Sequence, residues 1–105
     1  NVCQEATPDG STTLGISECL MAEMRAWDGL LNDEYAGARE QYAAQDELPQ
    51  KLQAAQRAWI AFRDADCAFA YDKYGDGSMR VIASASCQMN HTARRALDLK
   101  NMREP

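Results

Sequence analysis

The twelve residues from Gln56 to Cys67, Q-R-A-W-I-A-F-R-D-A-D-C, constrain this chain more than any others. They hold one of its two tryptophans, two arginines, two aspartates and a cysteine. Leu52, Ala55, Trp59 and Phe62 step by three and four, so they share one face of an α-helix. Asp66 falls next in that series, where an apolar residue is expected. A carboxylate on an apolar stripe has to be paired or hydrogen-bonded, because a bare one in low dielectric is too costly. Arg63, one turn back, is the nearest candidate partner, while Arg57 lies on another face. Trp59, Arg63, Asp64 and Asp66 are therefore read as a structural network that sets how helices register. Asp64 and Asp66 cannot act as a paired acid and base, since residues two apart on a helix point about 200° from each other.

The rest of the chain follows the same helical rhythm. Leu20, Met24, Trp27, Leu31, Tyr35, Ala38 and Tyr42 form one apolar stripe, preceded by candidate N-caps at Thr12 and Ser17. Gly29 and Gly37 each weaken that helix by about 1 kcal/mol, which is tolerable where a neighbour needs the room. The pattern breaks at 45–48, and Pro49 suits the first turn of a second helix. Gly75-Asp76-Gly77 ends that helix with a glycine for a left-handed cap. Ser78 can cap a third, with Met79, Ile82, Ser86, Met89, Ala93, Ala96 and Leu99 as its stripe. No strand signal or internal repeat stands out. The 105 residues are expected to form one all-α domain, a three-helix antiparallel bundle with helices at about 13–44, 49–74 and 78–101. Residues 1–11 read as an irregular arm.

Four cysteines, Cys3, Cys19, Cys67 and Cys87, are too widely spaced for a metal site, and His91 is the sole histidine. Disulfides are expected, and with them an oxidising compartment. Cys67 lies ten residues before Gly77 and Cys87 ten after it, so an antiparallel hairpin turning there sets them side by side. Of the three formal pairings this favours Cys67–Cys87, with Cys3–Cys19 tethering the arm to the first helix. The opening N-V-C-Q reads as the start of a trimmed, mature exported chain.

A net charge of −5 and a pI near 4.7 argue against nucleic acid or an anionic membrane surface as partner. No apolar run approaches the ~18 residues of a membrane span. Asp72 to Gly77 imitates the start of a calcium loop, but Tyr74 and Ala83 stand where two ligands belong. No metal or cofactor is expected. His91, without a second histidine or a free thiol, reads as a surface or capping residue, and Met79 and Met89 as core filler. Aromatics beside a protruding turn can anchor a partner, so Lys73, Tyr74, Asp76 and Arg80 are candidate contacts.

The central motif, together with G-S-M at 77–79, Cys87 and T-A-R-R-A-L at 92–97, resembles the LprI-like lysozyme inhibitor family. The likeness runs over roughly residues 12–99. At the front Cys19 and Thr12 match the family pattern, while Gly15, Ile16 and Ser17 depart from it. The resemblance implies a small, exported, helical, disulfide-bonded bacterial domain whose partner is a protein, with a lysozyme as the named candidate. It supplies no catalytic residues. The expected function is thus a periplasmic or secreted non-enzymatic binding protein. The alternative is a periplasmic structural or assembly factor that takes a small ligand or peptide between helices. A pocket lined by Trp27, Trp59 and neighbouring tyrosines would favour that alternative.

Overall fold

The computed structural model describes residues 13–75 and 77–103. The expected arm, with Cys3 as the proposed partner of Cys19, and Asp76 fall outside that set. Within it there are three helices and no strand: α1 (Thr13–Gln41), α2 (Leu48–Lys73) and α3 (Met79–Arg103). Ser17 is not a cap. It lies inside α1, where its hydroxyl donates to the Leu14 carbonyl at 2.9 Å.

Local chemistry explains where the helices stop. After Gln41 the chain tightens into turns, with the Ala43 amide on Glu40 and the Gln45 amide on Tyr42. Glu47 then takes a left-handed φ of 64°, and Pro49 follows in the first turn of α2, where its missing N–H costs nothing. At the other end of α2 the Gly75 amide bonds to the Asp72 carbonyl at 3.0 Å. Gly75 adopts a φ of 64°, which a residue with a Cβ resists.

Helix α3 is the shared element. Both α1 and α2 pack on it much more than on each other. Along α2 and α3, Gln56 meets Arg95, Phe62 meets His91, Cys67 meets Cys87 and Tyr71 meets Arg80, so these two helices run in opposite directions. Along α1 and α3 the partners of the middle of α1 lie near 96–99 and those of its end near 102–103, so these two helices run in the same direction. Leu31 packs near Ala96 and Leu99, Glu34 takes a hydrogen bond from Arg103, and the Tyr42 hydroxyl donates to the Met102 carbonyl at 2.7 Å. The molecule measures 49 × 29 × 16 Å, wider than it is thick.

The apolar core is small. Leu31, Ala96 and Leu99 form its centre, with Trp27, Tyr35, Leu52 and Trp59 packed against them. Two residues expected on the core face of α2 are outside it: Ala55 is exposed and Phe62 is 59% exposed. Around the helix axis they lie about 40° and 60° to the same side of Trp59, past the edge that α3 covers. Met79, expected as core filler, is 52% exposed.

The two glycines of α1 differ. A Cβ on Gly29 would meet nothing within 4 Å, whereas one on Gly37 would run into the Arg103 guanidinium. That guanidinium bonds Glu34 at 3.2 Å through Nη1. Gly29→Ala is expected to raise the melting temperature by several degrees, because the exchange removes about 1 kcal/mol of helix cost. Gly37→Ala is expected to show no such rise, because Arg103 must leave its place. Thermal unfolding followed by circular dichroism checks both.

Candidate functional site

Asp66 finds its partner on another helix. Its Oδ2 lies 2.6 Å from His91 Nε2, with the Sγ of Cys87 at 3.9 Å. Cys67 and Cys87 are disulfide-bonded, their Cα atoms 5.5 Å apart. His91 follows Cys87 by one turn and Asp66 precedes Cys67 directly, so the register that closes the disulfide also closes the ion pair. The Phe62 ring stands edge-on to His91, centroids 5.4 Å apart. The Asp66 side chain keeps 42% of its exposure and His91 only 16%.

Two expectations are corrected here. Arg63 is not the partner of Asp66: its Nε donates to Asp64 Oδ1 at 3.0 Å and its guanidinium lies 4.9 Å over the Trp59 ring. His91 is neither a surface residue nor a cap, but half of an interhelical pair. The sequence did contain a signal for this. Once Cys67 is set beside Cys87, the residue one turn after Cys87 comes within reach of the residue before Cys67.

Chemically the arrangement is a staple. His91 and the two sulfurs fall within 4.8 Å of one another, yet sulfurs shared in a disulfide present no thiolate to a metal. Cys19 is also disulfide-bonded, and no described cysteine is free.

A groove of about 270 Å³ opens between α1 and α2. Trp59 and Tyr35 line it, with Arg57, Arg63 and Asp28. Trp27 does not line it; that residue packs against the core. Gln56, 6% exposed, also borders the groove, its Oε1 accepting from Arg95 Nε at 2.9 Å. This contact is one more tie between α2 and α3.

At the α2–α3 turn, Arg80 is spent on structure. Its Nη1 donates to the Gly75 carbonyl at 3.1 Å and its guanidinium lies 5.0 Å over the Tyr71 ring. Lys73 is exposed, its ammonium 5.6 Å from the centroid of Tyr74, itself 46% exposed. Of the four expected contact residues, Lys73 and Tyr74 are thus the free pair, and Asp76 is outside the described residues.

A family model for the lysozyme inhibitor LprI matches residues 3–99, nearly the whole chain. The chain belongs to the LprI family. It is also 35% identical over 88 residues to an uncharacterised protein of Rhizobium meliloti (strain 1021), a match that takes in 81% of this chain and 56% of that one. The chain therefore spans about half the length of that relative. No solved structure matches it. No helix among the described residues is long and apolar enough to cross a membrane.

The two ion pairs are expected to differ in weight. A double-mutant cycle on Asp66 and His91, read by urea unfolding, should give a larger coupling than one on Arg63 and Asp64. The latter pair is between neighbours and Asp64 is 57% exposed, a setting in which such pairs contribute about 0–1 kcal/mol. Breaking the Cys67–Cys87 bond, which closes a loop of 20 residues, should cost about 3 kcal/mol in the chain-entropy model. Unfolding of a Cys67→Ser/Cys87→Ser chain measures it.

Proposed function

We infer that this chain is an exported, non-enzymatic binding protein of the bacterial envelope that inhibits a lysozyme. The match to the lysozyme inhibitor family over residues 3–99 carries the reading. Disulfide bonding supports export, since such bonds persist outside the reducing cytosol. The net charge of −5 supports a basic partner, drawn in by long-range attraction and held against screening only at low ionic strength.

A retaining lysozyme cleaves its substrate between two carboxylates in a cleft. An inhibitor that reaches into such a cleft has to offer a cation on something narrow. The α2–α3 turn meets that need with Lys73 beside Tyr74, while the Arg80 bond to the Gly75 carbonyl holds the turn in shape. Preorganisation of this kind keeps the entropic cost of docking low.

Purified chain in micromolar excess is expected to slow lysis of bacterial cell walls by a basic animal-type lysozyme. Lys73→Glu should relieve inhibition by about tenfold or more in effective concentration, the equivalent of ~1.4 kcal/mol. Arg94→Glu, an exposed change on α3, should leave it in place. Undiminished lysis in the presence of wild-type chain would remove the lysozyme reading.

The groove between α1 and α2 favours a second reading, an envelope assembly factor that takes a small ligand or peptide. Gln56 supports it: with Oε1 tied to Arg95, its amide NH₂ makes no hydrogen bond among the described residues and borders the open space. Under this reading envelope extract shifts the Trp59 fluorescence in a Trp27→Phe chain while lysis proceeds unchecked.

A further inference from the structure

Both phenylalanines of the chain, Phe62 and Phe69, stand on the surface, 59% and 65% exposed. They are seven residues apart on α2 and therefore share one face. That face is continuous and lies to one side of α3, touching it only where the Phe62 ring meets His91. Ala55, Ala58, Phe62, Ala65, Phe69 and Asp72 alternate by three and four, and every one of them is exposed. This is the spacing of a coiled-coil seam, over about 25 Å of helix. Beside it Ala54, Ala61 and Ala68 repeat every seven residues and are also exposed, so the flank of the seam is flat enough for another backbone to come close. An amphipathic helix packed on one neighbour is expected to show water a charged back. This one shows alanine and phenylalanine.

We propose that α2 pairs through this face with α2 of a second copy of the chain, antiparallel about a two-fold axis. Shape selects that occupant. The phenylalanines hold one seam position of successive heptads and alanines hold the other. Antiparallel pairing lets Phe62 of each copy settle on Ala65 of the other, and Phe69 on Ala58. Large then meets small at four successive layers. Parallel pairing would set ring on ring and alanine on alanine, which leaves a clash beside a void.

Charge points the same way. Within 54–69 the charged residues are Arg57, Arg63, Asp64 and Asp66, whose charges cancel. The excess acidity of the chain lies elsewhere, so two like-charged copies meet on a neutral strip. In this register Asp72 comes last, opposite Ala55, at the open end of the seam. A two-fold interface of this kind closes on itself and stops at two copies.

Sedimentation equilibrium of the full chain, disulfides intact and no other protein present, tests the proposal independently of any lysozyme assay. Dimerisation is expected in the micromolar range. Phe69→Glu should raise the dissociation constant by about tenfold or more, with helicity unchanged because the side chain is already in water. Leu97→Glu, 45% exposed on α3, should leave dimerisation as it is. Phe62→Ala should weaken the dimer, and adding Ala65→Phe to it should restore the large-on-small layer and the affinity. A wild-type chain that stays monomeric at hundreds of micromolar overturns the proposal. So does a dimer indifferent to Phe69→Glu, or a Phe62→Ala/Ala65→Phe chain no tighter than Phe62→Ala.

Discussion

The fold depends on α3 serving two neighbours at once. Thr92, Ala96 and Leu99 are fully buried, and Ala85 nearly so. They are small or slender residues, which lets helices approach from both sides without a clash. Helix α1 runs alongside α3 in the same sense, and α2 returns beside it through the turn around Gly75. With α1 and α2 both committed to α3, the seam between them stays open. The groove at Trp59 and the bare face of α2 follow from that single arrangement.

A core of this size buries few large side chains, so polar and covalent ties share the task of fixing register. They are spread along α3. Arg80 holds the turn, Cys87 and His91 hold the middle of α2, Arg95 reaches Gln56, and Arg103 reaches Glu34 on α1. Each links α3 to something else, and together they run nearly its whole length. The Asp66–His91 pair illustrates the logic. A carboxylate on the inner side of α2 is acceptable because the disulfide beside it holds a histidine at hydrogen-bond distance.

What remains at the surface falls into separate regions. The turn carries Lys73 and Tyr74, the groove carries arginines around Trp59, and the outer side of α2 is apolar. The turn and the α2 face meet only at their ends, where Asp72 adjoins Lys73.

Much of this was legible in the residues themselves. The 3.6-residue period set three helices, Pro49 and Gly75 marked where two of them begin and end, and the distances of Cys67 and Cys87 from Gly77 implied their bond. Such features are local, or close across one short turn, and so depend on few unknowns. The position of α3 between the others, the union of Asp66 with His91, and the exposure of Phe62 were decided by tertiary structure. Periodicity gives the angle of a side chain about its own helix axis. It does not say which arc of that circle a neighbour covers, and Phe62, about 60° from Trp59, lay just beyond the covered arc.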